Sequence, residues 1–284
     1  GRTPPHIQAI RPLVDGVISD FEATEEMLKY FIGKVHKDTL NIMPRPRVVI
    51  SIPTQTTEVE RKSTEDAALA AGAREVFLIE EPMAAALGAK LPTSKATGSM
   101  VIDIGGGTTE LALISMSGIV NGESLKLAGD KLDEDIQHYV RDEFNLLIGQ
   151  PTAEKIKLNI ASVYPLKQEL TIPIRGRDLT TGLPKEVLMN NDQAREAIFK
   201  TVEKMVLQAK ALIEKSPPEL VADLMDRGIV IAGGGALLRG LAPYVERETG
   251  IPTRLEEDPL TTVVRGTGMA LENFDSLSEI KVNV

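Results

Sequence analysis

The chain has 284 residues, a formal net charge of −9 and no cysteine. This length favours two packed lobes with a cleft between them, or one large α/β unit that carries an insertion. The acidic balance disfavours a nucleic-acid partner, and the lack of cysteine excludes disulfides and thiolate metal sites. No apolar run approaches the roughly 18 residues of a membrane span, so any membrane contact is expected to be peripheral.

The first third of the chain alternates predicted helices with short apolar strands. Apolar residues at helical spacing predict helices over 15–36 and 57–72, and a proline opens an alanine-rich helix over 82–89. The β-branched runs at 48–52 and 76–79 are typical of strands that are buried on both faces. This order predicts a parallel sheet.

The remainder of the chain combines a predicted meander, an inserted hairpin with a long helix, and a further unit of strand, glycines and helix. Strands are predicted at 100–104, 110–114, 119–127, 170–174, 187–189 and 228–232, and helices at 130–147, 152–162, from Asp192 onward, and at 236–248. Such alternation predicts an α/β protein whose functional sites lie at the carboxyl ends of strands.

The first glycine-rich segment joins two predicted strands. Three consecutive glycines allow backbone N–H groups to turn toward one point, which suits a phosphate. The threonine hydroxyls that follow would add donors, and the preceding aspartate would hold hydrated Mg²⁺, which takes few carboxylates. The residues of this segment are Asp103, Gly105, Gly106, Gly107, Thr108 and Thr109. The alternative is an ordinary hairpin turn with an aspartate at its edge, and the pattern alone does not decide.

The second glycine-rich segment follows a buried strand and opens a predicted helix. Its free N–H groups would face an anion or polar ligand, and its glycines would let a flat purine approach the backbone. Its residues are Gly233, Gly234, Gly235, Ala236 and Leu237. Close packing of helix on strand is the alternative. Two such clusters about 130 residues apart, each beside a strand, together favour a nucleotide in a cleft.

Charged residues near two helix starts complete the candidate site. Glu81 begins the alanine-rich helix, where it would orient the water that attacks a terminal phosphate, or else act only as a capping acid. Glu154 and Lys157 share a helix face and would reach ribose and base, or else form an exposed ion pair.

One predicted loop contains apolar residues where polar ones are expected. Leu40, Ile42 and Met43 lie there with nearby lysine and arginine. Apolar tips flanked by cations suit shallow insertion into an anionic leaflet. A loop folded back onto the core explains the pattern equally well.

The segments 77–86, 103–110 and 233–241 resemble the MreB family of bacterial actin homologues, and the resemblance extends from residues 1–4 to 257–261. It implies that 103–109 form the second phosphate loop and that Glu81 positions the attacking water. It also implies adenosine contacts from 233–237 and from 154–157, and a membrane-insertion role for the apolar loop. The 154–157 contacts are Glu154, Lys155, Ile156 and Lys157.

The resemblance further implies an α/β, actin-like ATPase fold, with ribonuclease H-like lobes around a nucleotide cleft. Residues 1–94 would be the remainder of the first lobe (IA, with most of IB missing). The parts of the second-lobe core (IIA) would be 95–157 and 227–262, with 158–226 as an inserted subdomain (IIB) and 263–284 as a C-terminal helix returning to the first lobe. On this comparison the chain is expected to be N-terminally truncated, without the family's first phosphate hairpin, and therefore defective in ATP hydrolysis and assembly.

The implied function is that of a cytoskeletal ATPase with ATP and Mg²⁺ as cofactors. The family would polymerise with itself into antiparallel double filaments on the anionic inner face of the cytoplasmic membrane, and act with the cell-wall elongation machinery to maintain rod shape. The alternatives are a sugar kinase or chaperone-type ATPase of the same superfamily, or a nucleotide-binding scaffold without turnover. A kinase would offer a substrate aspartate in a closed pocket, and a chaperone would continue into a peptide-binding domain.

Overall fold

The computed structural model describes residues 4, 6–35, 45–273 and 281–282. The predicted membrane loop, with Leu40, Ile42 and Met43, lies outside these residues. The elements up to the first glycine loop are β1 (Leu13–Val14), β2 (Val17–Ile18), α1 (Phe21–Val35), β3 (Arg47–Ile52), α2 (Glu58–Ala70), β4 (Glu75–Glu80), α3 (Glu81–Gly88) and β5 (Ser99–Ile104).

The elements that follow begin on the other side of that loop. They are β6 (Thr109–Ser115), β7 (Gly118–Leu125), α4 (Gly129–Phe144), β8 (Leu146–Leu147), α5 (Gln150–Ile160), β9 (Thr171–Asp178), β10 (Pro184–Asn190), α6 (Asn191–Glu214), α7 (Pro218–Arg227), β11 (Ile229–Ala232), a 3₁₀ turn (Gly234–Leu237), α8 (Leu241–Thr249), β12 (Thr253–Leu255), α9 (Thr262–Glu272) and β13 (Lys281–Val282).

Three sheets organise most of these strands. The first sheet has the order β13-β4-β3, in which β3 and β4 are parallel. The central sheet has the order β12-β11-β5-β6-β7, with parallel pairing of β11 to β5 and β12 and an antiparallel meander from β5 to β7. The small sheet, β10-β9-β8, is antiparallel. The predicted α/β class, parallel pairing and meander are therefore confirmed.

Every residue of β5 is buried because both faces of the central sheet are covered. One face contributes Met100 and Ile102 to a large cluster with α4, α5 and α6. The opposite face contributes Val101 to a second cluster, which is built on the alanines of α3. Strands buried on both faces read as continuous apolar runs, which explains why this strand was recognisable in the sequence.

Two predicted helices differ from the structure. The helix predicted from residue 15 begins only at Phe21, because Asp15 and Gly16 adopt positive φ (51° and 77°) in the turn between β1 and β2. An Asp-Gly pair favours such a hairpin turn. The helix predicted over 236–248 is divided into a 3₁₀ turn and α8, and Gly240 lies between them at φ 81°.

Helices α3 and α9 cross at backbone contact. A methyl group built on Gly266 would overlap the carbonyl oxygen of Ala84, and one built on Gly88 would overlap that of Thr262. Two glycines thus allow the approach, since any Cβ would force the helices apart. The start of α3, where Glu81 lies, is held in place by this crossing.

Candidate functional site

The first glycine loop connects the ends of β5 and β6 and receives the start of α4. Gly105 donates its N–H to Thr108 (2.9 Å), and its carbonyl accepts from Gly129 N–H (3.1 Å). The carbonyl of Gly106 accepts from Asp130 N–H (2.8 Å). Among the described residues, nothing accepts the N–H groups of Gly106 and Gly107. These two donors remain available for an anion.

The second glycine segment lies against the first because β11 and β5 are parallel neighbours, with Ala232 paired to Asp103. A Cβ on Gly233, which has φ 80°, would meet the carbonyl oxygen of Ile104, and one on Gly235 would overlap the Ile104 side chain. Close packing therefore explains both glycines. The same packing brings the two glycine segments together at the carboxyl ends of adjacent strands, where α/β proteins bind ligands.

A cavity of about 570 Å³ opens between these segments and helices α4 and α5. Its volume is in the range of small-molecule and cofactor sites. Its walls include both of the helix-face residues predicted to contact ribose and base. The predicted binding residues that line it are Gly105, Gly106, Glu154, Lys157, Gly234, Gly235 and Leu237.

Other predicted binding residues lie outside this cavity. Lys155 is exposed, whereas Ile156 and Ala236 are buried in the core. Thr109 donates its hydroxyl to the carbonyl of Leu127 (2.6 Å), so this hydroxyl is already engaged.

The remaining two residues of the first glycine segment face the N-terminal hairpin and a smaller cavity. A Cβ on Gly107 would lie 3.0 Å from Asp15 Cα, in the turn between β1 and β2. Thr108 lines a cavity of about 160 Å³, which is bounded in part by the loop after β3. The segment therefore borders two spaces rather than one.

Three carboxylates converge beside the glycine loop: Asp103 and Glu110 are buried, and Glu81 is partly buried. Burial raises the pKa of Glu81 to about 8, and the charges of Glu110 and Asp103 act in the same direction. Burial, with the Glu110 charge, raises the pKa of Asp103 to about 7. The Oδ1 atom of Asp103 is buried and has no hydrogen-bond partner in the part of the chain that the structure describes. Carboxylates in such surroundings favour a protonated state or a nearby cation.

The residues present fit a magnesium ion held through water. Asp103 offers an unpartnered buried oxygen, and Mg²⁺ typically uses one or two carboxylates together with waters and substrate phosphates. No cluster of three or more metal-ligating side chains occurs in the described ranges, so the protein alone would not enclose such an ion. Glu80 precedes α3 without a side-chain hydrogen bond that caps it, and Glu81 lies in the first turn of α3, where the helix dipole also stabilises an acid.

Comparisons with known proteins decide the family. A model described as MreB/Mbl protein matches residues 1–279. This chain belongs to the MreB/Mbl family. It is 51% identical over 275 residues to the cell shape-determining protein MreB of Escherichia coli K12, covering 97% of this chain and 79% of that protein. It is 47% identical over 283 residues to the cell shape-determining protein Mbl of Bacillus subtilis, covering 100% and 84%.

Solved structures agree with this assignment. MreB5 of Spiroplasma citri bound to ADP is 37% identical, with a TM-score of 0.91, over 98% of this chain and 83% of that one. A MamK double helical filament shares the fold at 21% identity, with a TM-score of 0.76 over 92% and 80%. The chain therefore has the actin-like ATPase fold of the MreB/Mbl family. None of the helices in the described part is long and apolar enough to cross a bilayer.

Sequence reasoning missed three residues around this MreB/Mbl cleft. Asp133 pairs with Lys157 beneath the cavity, Glu110 joins two sheets, and Arg11 donates to Gln150 Oε1 (2.7 Å) near the cavity wall. Each contact joins residues more than 20 positions apart.

Lys157 does not pair with Glu154, the partner expected at helical spacing. Its ammonium lies 2.8 Å from Asp133 Oδ1 and donates to the carbonyl of Gly129 (2.8 Å). Both side chains of the ion pair are largely buried, at 15% and 3% exposure. Burial raises the pKa of Asp133, whereas the Lys157 hydrogen bond opposes that shift. Lys157 thus fixes α5 to the start of α4, next to the glycine loop.

Replacing Lys157 by methionine is expected to lower the free energy of unfolding by about 3 kcal/mol, because it leaves a buried carboxylate unpaired. The double variant Lys157→Met/Asp133→Asn should regain much of this loss. The control is Lys155→Met on the exposed side of α5, which should change stability by less than about 0.5 kcal/mol. Urea unfolding measures all three, and equal losses at 155 and 157 would contradict the buried pair.

Proposed function

We propose that this chain binds ATP in the 570 Å³ cavity and, against the expectation of defective hydrolysis drawn from the resemblance, hydrolyses it as a cytoskeletal ATPase that maintains rod cell shape. The observation that carries the proposal is the meeting of both glycine segments, Glu154 and Lys157 around one cavity beside the unpartnered oxygen of Asp103. Two structures of MreB5 of Spiroplasma citri, at 37% and 38% identity, are bound to ADP and AMPPNP, which supports a nucleotide here.

Each part of the cavity suits a part of the nucleotide. Gly234 and Gly235 line the cavity and would admit a flat base to the backbone, and Glu154 and Lys157, which also line it, would bind the ribose hydroxyls. The unpaired N–H groups of Gly106 and Gly107 suit phosphate oxygens. Mg²⁺, held by Asp103 through water, would neutralise phosphate charge and lower the pKa of the neighbouring carboxyls.

Glu81 supplies the base of this proposed reaction. A carboxylate near the terminal phosphate orients the attacking water and accepts its proton. In the ligand-free chain the pKa of Glu81 is about 8, so most of its carboxyl groups carry a proton at neutral pH. Turnover therefore requires that this proton be lost when cationic charge enters the site. The chain is expected to hydrolyse little nucleotide without a divalent cation.

The proposed role also includes assembly of the protein into filaments. The proposal places the first sheet in one lobe and the central sheet in another, with 158–226 as the inserted subdomain. Its partners would be further copies of this chain, an anionic membrane surface and the machinery of cell-wall elongation. The names of the 51% and 47% identical relatives, which are cell shape-determining proteins, support this role.

Titration with a fluorescent ATP analogue, phosphate release and sedimentation with liposomes test the proposal together. We expect ATP to bind, phosphate to be released with Mg²⁺, and protein to sediment with anionic but not neutral liposomes. Binding without phosphate release would favour the nucleotide-binding scaffold. Failure to bind ATP would contradict the proposed function altogether, and phosphate transfer to a sugar would favour the kinase.

A further inference from the structure

The carboxylate of Glu110 makes two different connections. Glu110 lies on β6 directly opposite Asp103 and is fully buried. Its Oε1 atom accepts the hydroxyl of Ser124 on the neighbouring strand β7 (2.6 Å). Its Oε2 atom accepts the backbone N–H of Thr54, which belongs to the loop after β3 (3.0 Å). One oxygen thus accepts a hydrogen bond within the central sheet, and the other accepts one from the loop that follows β3 of the first sheet.

Residues 53–56, which we call the seam loop, are also held by hydrogen bonds among themselves and from the helix that follows. The hydroxyl of Thr56 donates to the carbonyl of Pro53, and Arg61 Nε donates to the carbonyl of Thr56 (3.1 Å). Thr57 then caps α2 in a reciprocal pair with Glu60. The seam loop is therefore a well-fixed part of the first sheet's framework, and Glu110 holds that framework through a buried backbone hydrogen bond.

The seam loop ends close to the proposed catalytic base. Strands β3 and β4 are parallel, and Ile52 at the end of β3 is paired with Glu80 at the end of β4. Thr54 follows Ile52 by two residues, and Glu81 follows Glu80 by one. Fixing the end of β3 therefore also fixes the end of β4, from which α3 and its first residue begin.

The opposite side of the seam loop faces the glycine loop. A cavity of about 160 Å³ separates the seam loop from Thr108, Ser124 and Lys126. Thr108 is the last residue before β6, directly after the triple glycine. The Glu110 charge is also among the causes that raise the pKa of Glu81, which places the two carboxyls near each other. The seam loop, Glu81 and the first glycine loop therefore meet around Glu110.

We propose that Glu110 is a positioning residue for ATP hydrolysis: it holds the seam loop against β6 and so sets the distance between Glu81 and the Gly105–Gly107 loop. The inference rests on the proposed function. It concerns alignment of the base with the phosphate, and a displacement of about 1 Å at such a distance can cost on the order of 100-fold in rate.

Three variants separate the contacts of Glu110. Glu110→Met keeps the volume but removes the acceptor, leaving the Thr54 N–H without its partner. Glu110→Gln retains an amide oxygen for Thr54 and can donate to Ser124 Oγ instead of accepting. Ser124→Ala removes only the bond inside the central sheet and is the matched control. If Glu110→Met unfolds at too low a temperature to be assayed, Glu110→Asp takes its place. Aspartate keeps the carboxylate charge, but its shorter side chain extends less far toward Thr54.

Two measurements are made on each variant. Hydrogen exchange at the Thr54 amide reports the contact without nucleotide, and it should be at least about 10-fold faster in Glu110→Met than in the wild-type chain. Steady-state turnover of Mg-ATP should show kcat about 30-fold lower with KM within about twofold, because alignment rather than binding is lost. Glu110→Gln and Ser124→Ala should both stay within about threefold of wild type in kcat.

The outcomes separate this inference from the proposed function. Unchanged Thr54 exchange in Glu110→Met would overturn the contact, and equal losses of kcat in Glu110→Met and Ser124→Ala would overturn the positioning role in favour of general packing. A rise in KM with unchanged kcat would also overturn it. A wild-type chain that does not turn over ATP contradicts the proposed function and the positioning role, while the exchange result still decides the seam contact.

Discussion

Glu81→Gln is expected to lower ATP turnover by about 100-fold or more while leaving ATP binding within about threefold, because glutamine cannot accept the proton of the attacking water. The control is Glu80→Gln, one residue earlier, which should retain turnover within about threefold. Phosphate release and fluorescent ATP titration give the two quantities. Wild-type turnover by Glu81→Gln would exclude this residue as the base.

The same substitution is expected to stabilise the ligand-free chain at alkaline pH. Burial raises the pKa of Glu81 from 4.5 to about 8, so the folded chain holds a proton that the unfolded chain loses. This contribution to stability is complete below pH 4.5 and is lost as the pH rises toward 8. Glutamine does not titrate, so Glu81→Gln should exceed wild type by about 4 kcal/mol at pH 8 relative to their difference at pH 4.5.

Urea unfolding at the two pH values measures this difference. Asp103, whose pKa is raised to about 7, should add a loss of the same sign to both chains, and because its charge also raises the pKa of Glu81, the comparison reports Glu81 together with this interaction. Parallel pH profiles for the two chains would show that Glu81 is not buried in an uncharged state. A base that weakens the folded chain is typical of a site whose geometry is built for catalysis rather than for stability.

Gly266→Ala is expected to lower the free energy of unfolding by about 3 kcal/mol, because its methyl group would overlap the backbone of α3 at Ala84. Gly268→Ala, two residues along the same helix, is the matched control. A methyl group on Gly268 would meet no atom within 4 Å from the described residues outside its own helix, so alanine there should raise stability by about 0.5–1 kcal/mol.

The decisive observation is that the two substitutions should change the free energy of unfolding in opposite directions. Both substitutions make the same change in helix propensity, so any gap between them reports the crossing of α3 and α9. Because α3 begins at Glu81, Gly266→Ala should also reduce ATP turnover more than it reduces ATP binding. Equal stabilisation by both alanines would contradict the close helix contact.

Local features of the fold could be predicted because they depend on neighbouring residues. The apolar runs predicted β3, β4 and β5, and the glycine triplets predicted two strand junctions, all of which the structure contains. The N-terminal hairpin was missed although Asp15-Gly16 is a hairpin pair, since the helical spacing that continues beyond Phe21 concealed it. The division before α8 was missed because Gly240 lies within an otherwise helical pattern.

The sequence by itself determined the family and the two glycine segments, and it predicted Glu81 as the base and Asp103 as the carboxylate that would hold Mg²⁺. Only the tertiary structure decided what these residues touch. It paired Lys157 with Asp133 instead of Glu154, engaged the hydroxyl of Thr109, and joined Glu110 to the seam loop. Such contacts depend on strand order and on helix crossings between distant segments, which no local periodicity encodes.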